Sequence, residues 1–172
     1  MILQTERLTL KPLGMDYLET VNKYATDIEN TRYMVRLPNE NIEETKQFLR
    51  GTDVEWKKET PEFYEFAILL DDVHIGAVSV YLEEDFSVGE LGWIIDKTYW
   101  GNGYAYEASK ELVTMCAKDL GIHRLIAHCD SENIASRKVM EKLGMKLIEQ
   151  YSGRKNRASD EVREECMFCL EI

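Results

Sequence analysis

Trp100-Gly101-Asn102-Gly103-Tyr104-Ala105 joins an apolar segment to an amphipathic one, and the fold is read outward from it. Ahead of it, Leu91, Trp93, Ile94 and Ile95 read as a strand. Behind it, Ala105, Ala108, Leu112, Met115 and Cys116 recur at the three-and-four spacing of a helix face. Two glycines at such a junction let the backbone approach a ligand with no Cβ in the way. The free N–H groups of the first helical turn, at the positive end of the helix dipole, favour an anion there. A phosphate-bearing cofactor fits that turn.

On the N-terminal side, Leu8, Leu10 and Pro12-Leu13 suggest a strand ending at Gly14. Residues 15–27 read as a helix with Tyr17, Leu18, Val21 and Tyr24 on one side. A second helix starts near Ile42 and runs through Phe48, Leu49 and Trp56, and Pro61 breaks the chain. Strands follow at 63–70 and 74–82, joined by the polar turn Asp71-Asp72-Val73, and a third spans 88–96. After the glycine turn and its helix come a strand at 124–129 and a helix at 133–143 that stops at Gly144. Strands at 146–151 and 165–170 close the sheet. The order β-α-α-β-β-β-α-β-α-β-β predicts an α/β sandwich with a mixed, mostly antiparallel sheet and helices on both faces. No repeat or linker interrupts residues 1–172, so a single domain is expected.

Composition narrows the function classes. With 44% hydrophobic and 31% charged residues the chain is globular rather than disordered. No apolar run approaches the roughly 20 residues that span a bilayer, so no membrane partner is expected. The start, Met1-Ile2-Leu3-Gln4-Thr5-Glu6-Arg7, lacks the pattern of a secretory signal. Cys116, Cys129, Cys166 and Cys169 are too sparse for a disulfide-built domain, which points to reduced thiols in a cytoplasm. A net charge of −11 argues against nucleic acid and is compatible with a cationic substrate or with plain solubility.

Two nucleotide folds are excluded at the glycine turn. A dinucleotide fingerprint needs a third glycine where Tyr106 stands, early in a βαβ unit, and a Walker loop needs a following Gly-Lys-Ser/Thr. A different match covers nearly the whole chain. The block from Glu90 to Met145 resembles the GNAT N-acetyltransferase superfamily, whose acetyl-CoA loop has the form Arg/Gln-x-x-Gly-x-Gly/Ala. Trp100-x-x-Gly103-x-Ala105 meets that form at two of three points. The departure at Trp100, with Asn133-Ile134-Ala135-Ser136, Glu141-Lys142-Leu143-Gly144 and Thr5-Glu6-Arg7-Leu8-Thr9-Leu10, resembles the RimJ/RimL-type branch of ribosomal-protein-alanine acetyltransferases.

The resemblance implies acetyl-CoA as co-substrate, no metal, and a primary amine as acceptor, either a protein N-terminus or a small cationic molecule. It implies that Trp100, Gly101, Asn102, Gly103, Tyr104 and Ala105 hold the CoA pyrophosphate on their amides. Main-chain groups of Trp93, Ile94 and Ile95 would pair with the pantetheine arm as an added strand does, and one amide could stabilise the thioester oxyanion. Asn133 either caps the next helix or bonds the pantetheine, and Ser136 faces the same way. Arg137, Lys138 and Lys142 either meet the adenosine phosphates or form a solvated helix face.

The reaction would be direct attack of an amine on the thioester. A lysine-like amine costs roughly 4–5 kcal/mol to deprotonate at neutral pH and an α-amine about 1, so a general base matters more for the former. Glu90, on a strand face with Gly92 and Ile94, and His128, on a face with Arg124 and Ile126, are the two candidates. Each could equally be a structural polar group. Many members carry a tyrosine general acid where this chain has Met140, and Ser136, through a water, is the substitute. Glu43, Glu44, Glu62, Glu65, Glu83, Glu84 and Asp85 are expected to rim the acceptor site. Cys166-Met167-Phe168-Cys169 lacks a second ligand pair, and on a strand its cysteines point to opposite faces, so no zinc site is expected. The rival reading is a non-catalytic acyl-CoA-binding module. A monomer and a homodimer are both compatible with the sequence.

Overall fold

Branched and aromatic residues crowd positions 63–95, and they form the centre of an eight-stranded sheet in the computed structural model, which describes residues 1–83 and 87–172. The strands are β1 (Leu3–Gln4), β2 (Leu8–Pro12), β3 (Phe63–Leu70), β4 (Val73–Leu82), β5 (Val88–Ile95), β6 (Arg124–Asp130), β7 (Lys146–Lys155) and β8 (Val162–Glu171). Their spatial order is β1-β2-β3-β4-β5-β6-β8-β7. Neighbours are antiparallel except β5 and β6, which run parallel. A parallel pair needs a crossover, supplied here by α3 (Tyr104–Asp119). The other helices are α1 (Leu18–Ala25), α2 (Ile42–Glu55) and α4 (Ile134–Lys142).

Two cores flank the sheet, as alternation requires. Leu8, Leu10, Phe66, Val78, Leu91, Leu125 and Phe168 pack with Ala108, Leu112 and Met115 of α3 and Met140 of α4. Ala67, Leu69 and Ala77 pack on the other face with Val21, Tyr24 and Ala25 of α1 and Leu49 of α2. The expected sandwich is therefore the one observed.

Several boundaries shift by a residue, and larger differences from the expected elements have physical causes. The helix expected over 15–27 is a short 3-10 turn followed by Leu18–Ala25, because Thr26 ends it and residues 26–41 form an irregular loop. β1 is not expected from the sequence, because two residues are too few to show alternation. The strand expected to reach Asp96 stops at Ile95, since the Asp96 side chain accepts the Thr98 N–H at 3.0 Å and opens a new turn. The last hairpin is longer than expected at both ends. β7 is exposed along most of its length, so no apolar alternation marks it. The β3–β4 hairpin turns at Asp71 and Asp72, with φ of 48° and 63°, the left-handed pair a two-residue loop requires.

Candidate active site

The sheet opens where the parallel pair fails. The β5–β6 ladder holds only Val88↔Arg124, Gly89↔Leu125 and Glu90↔Ile126, and beyond that rung the strands part. Into the gap project α3, from the end of β5, and α4, from the end of β6. The resulting cleft of about 360 Å³ is lined by Trp93, Ile94, Ile95, Tyr99, Trp100, Gly101, Gly103, Tyr104, Ala105, Asn133 and Ser136. These include every residue expected to hold the cofactor except Asn102.

The β5 edge offers less main chain than expected. Asp96 N–H bonds Ile75 C=O at 2.8 Å and Glu83 N–H bonds Val88 C=O at 3.0 Å. The alternation between them turns the main-chain groups of Ile94 toward β4, so Ile94 contributes only its side chain to the cleft. Trp93 and Ile95 point the other way. The Ile95 carbonyl is already taken, by Trp100 Nε1 at 2.8 Å and Asn30 Nδ2 at 3.1 Å. What the edge presents is the Trp93 N–H and C=O and the Ile95 N–H.

The glycine turn has the expected form. Gly101 and Gly103 lie at φ +79° and +81°, where a side chain is strained, and Gly103 is the N-cap of α3. The first bond from this cap is Glu107 N–H to Gly103 C=O at 3.1 Å, so the N–H groups of Tyr104, Ala105 and Tyr106 have no helical acceptor. Asn102 differs from expectation in its side chain, whose Nδ2 turns back to the carbonyls of Tyr99 and Trp100, each at 3.0 Å.

On α4 the cap reading of Asn133 holds. Its Oδ1 accepts Ser136 N–H at 3.1 Å, a contact of the kind worth about 1 kcal/mol, and only the Nδ2 end is left for a ligand. Lys138 and Lys142 line the cleft, with Lys142 Nζ 5.8 Å from the Tyr106 ring centre. Arg137 turns instead to the Ser131 carbonyl at 3.4 Å. Met140 is buried in the core.

The two candidate bases touch each other. Glu90 Oε1, from the last rung of the ladder, lies 2.9 Å from Nδ1 of His128, two residues beyond that rung on β6. A carboxylate can only accept, so Nδ1 carries the proton and Nε2 is the free lone pair. The Glu90 hydrogen bond raises the pKa of His128 above its ordinary 6.5, against the opposing effect of burial. Neither residue lines the cleft. Both stand at its apex, on the sheet face of α1 and α2.

Among the described residues, most of the acids expected at the rim have partners of their own. Glu43 pairs with Lys46 at 2.6 Å, Glu44 with Arg157 at 2.7 Å and Glu62 with Lys58 at 3.0 Å. Glu65 is buried; desolvation pushes its carboxyl up to about 7, although Tyr81 Oη donates to it at 2.7 Å. Glu83 is exposed, and Glu84 and Asp85 lie outside the described residues. Lysines three or four positions away meet Glu43 and Glu62, and an arginine from the other end of the chain meets Glu44, pairings that a count of acids overlooks. All four cysteines are free and buried, and burial pushes the Cys116 and Cys129 thiols up to about 12, which leaves them poor nucleophiles.

Sequence reasoning missed the opposite wall. Glu29, Asn30, Tyr33 and Met34 of the 26–41 loop also line the cleft. That loop is held from the β7–β8 hairpin: Asn156 Nδ2 reaches the carbonyls of Thr31, Met34 and Leu37 at 2.9, 2.7 and 3.1 Å, and Arg154 reaches that of Tyr33 at 2.9 Å. Arg157 adds a two-pronged contact to Glu44. The separations of 119 to 125 residues in the Asn156 contacts leave no local signal.

Residues 7–146 match the Acetyltransferase (GNAT) domain. The uncharacterized N-acetyltransferase YnaD of Bacillus subtilis is 28% identical over 149 residues, which are 85% of this chain and 83% of that protein. An acetyltransferase of the GNAT family from Bacillus anthracis superposes with a TM-score of 0.84 at 24% identity, covering 99% of this chain and 98% of that one. RimL, a ribosomal L7/L12 alpha-N-protein acetyltransferase solved with coenzyme A, shares the fold with a TM-score of 0.84 at 16% identity, over 100% of this chain and 98% of its own.

Proposed function

The chain belongs to the GNAT acetyltransferase family and is an N-acetyltransferase, and on that premise we propose that it moves the acetyl group of acetyl-CoA to an α-amine by direct attack. The observation that carries this reading is the parting of β5 and β6 beyond the Glu90↔Ile126 rung, where Glu90 reaches forward to His128. The cleft opens beside a polar pair that can move a proton, which supports acyl transfer there. RimL, a fold neighbour, is solved with coenzyme A, which supports the same donor here.

In this reading the amides from Gly101 to Ala105 hold the pyrophosphate, and the Trp93 and Ile95 main chain holds the pantetheine arm. The acceptor approaches from the α1–α2 face. The neutral amine forms a bond to the thioester carbon, His128 Nε2 takes the proton that the nitrogen carries in the tetrahedral adduct, and the C–S bond then breaks to release CoA thiolate. The Ser136 hydroxyl, through a water, meets the departing sulfur. With the thiols of Cys116 and Cys129 held protonated, no acyl-enzyme step is invoked.

The acceptor class follows from matching the base to the amine. A histidine raised somewhat above 6.5 is close to an α-amine near 8 and far from a lysine near 10.4. We therefore place protein or peptide N-termini, and small molecules with comparable amines, ahead of lysine side chains. On the ground of its free cysteines we assign the enzyme to a cytoplasm. Thiol release from acetyl-CoA, measured with a panel of peptide N-termini, lysine derivatives and polyamines, tests the reading. The expected result is acceptor-dependent release with α-amines highest. Release no faster than hydrolysis with every amine overturns transfer, and a lysine preference overturns the acceptor class.

A further inference from the structure

Arg7 is 95 residues from Asn102 of the glycine turn in sequence and in contact with it in space. Its Nη2 donates to the Asn102 carbonyl at 3.2 Å, and its guanidinium carbon lies 4.7 Å from the Tyr104 ring centre. The same side chain grips Glu107 with Nε at 2.7 Å and Nη2 at 2.6 Å, while the Arg7 main-chain N–H donates to the other Glu107 oxygen at 2.8 Å. Thr5 Oγ1 donates to that oxygen at 2.6 Å and accepts the Leu8 N–H at 2.8 Å. The β1–β2 turn is thereby fixed to the first turn of α3.

In a trans peptide the N–H points opposite to the C=O. Holding the Asn102 carbonyl therefore aims the Gly103 N–H away from Arg7. Asn102 Nδ2, by holding the Trp100 carbonyl at 3.0 Å, does the same for the Gly101 N–H. Glu107 matters too, since a carboxylate in the first turn of α3 would repel a pyrophosphate bound there. Arg7 neutralises that charge and orients the amides with one planar fork, a geometry that lysine cannot reproduce.

We propose that Arg7 is a positioning residue for the donor: it aims the Gly103 amide and cancels the Glu107 charge, so that the glycine turn accepts the CoA pyrophosphate. This rests on the reading of the cleft as the acetyl-CoA site. Arg7 touches the turn and not the reacting atoms, so its effect is confined to donors that carry a pyrophosphate.

The test compares acetyl-CoA with acetyl-pantetheine, which has the thioester and arm but no pyrophosphate, in the full-length protein. Arg7→Met should raise the KM for acetyl-CoA by about tenfold or more, the loss of a charge-assisted contact, and leave that for acetyl-pantetheine unchanged. Equal damage to both donors would show a merely structural role and overturn the proposal, as would an unchanged acetyl-CoA KM. Arg7→Lys, which keeps the charge and is the milder change for folding, should show the same donor selectivity in smaller degree; full wild-type behaviour overturns the requirement for the fork. Adding Glu107→Gln to Arg7→Met separates the two effects: a KM that stays raised supports amide orientation, and complete recovery overturns it. Failure of the underlying reading looks different, because the wild type itself would then use both donors with the same KM.

Discussion

The two walls of the cleft are built in opposite ways. The donor wall comes from one continuous piece of chain, from Trp93 through the glycine turn and α3 to Lys142 at the end of α4. The far wall, Glu29 to Met34, is an irregular loop given its shape by Asn156 and Arg154 from the other end of the sequence. A turn whose amides face a phosphate can be encoded locally, by two glycines and a helix start. A wall that must fit an acceptor has no standard local form, so it is assembled from side chains that reach across the fold. One fold can then keep its donor and change its acceptor.

The largest expected effect breaks the donor wall alone. Gly103→Val places a branched side chain at φ +81° in the cradle of amides. Its thermal stabilisation by CoA should vanish, where the wild type gains about 2.7 kcal/mol at a hundredfold excess over Kd. Retained stabilisation would mean the pyrophosphate lies elsewhere.

Next in size is the apex between the walls. His128→Gln should lower kcat by about 10²-fold or more with the Kd for CoA unchanged, as removal of a general base does. The pH dependence carries the sharper information. The neutral, active form of His128 accumulates as pH rises through its raised pKa, so the rate should climb on an acid limb above 6.5. Glu90→Gln removes the partner that raises it, and the limb should move to lower pH. A limb that stays in place would separate Glu90 from the proton transfer.

Legibility in the sequence follows the same division. Period and punctuation located all four helices and seven of the strands, because α/β layers bury alternating or helical faces. The residues from Trp93 to Ser136 that line the cleft are legible because they lie on consecutive elements of the chain. Alternation gave Glu90 and His128 their faces, yet their contact depends on the β5–β6 register, which no single strand encodes. Arg7 and Asn156 were illegible for a plainer reason. Each acts on main-chain atoms about 100 residues away, and a polar side chain in a turn carries no pattern that says so.

Asn156→Ala tests whether the far wall serves the acceptor. It strips hydrogen bonds from the part-buried carbonyls of Thr31, Met34 and Leu37, costing about 1–3 kcal/mol of stability. Loosening the loop should raise the acceptor KM by about tenfold while the KM for acetyl-CoA holds, since the donor wall has its own supports. Equal rises in both would make the loop a common support rather than an acceptor wall.

The smallest effect is expected where composition alone suggested a large one. A net charge of −11 invites the idea of a field that gathers cationic acceptors. Yet Glu43 and Glu62 are each neutralised within one helical turn's distance by Lys46 and Lys58. Exposed pairs of this kind contribute little and are screened by salt. Glu43→Gln and Glu62→Gln should therefore leave the acceptor KM within about twofold at low and at high ionic strength. A KM that rises with salt in the wild type, and loses that dependence in either variant, would restore long-range attraction as part of acceptor capture. A flat response would locate acceptor selectivity at Tyr33 and Met34 in the cleft and at the Glu90–His128 pair at its apex, where contact and proton affinity act at short range.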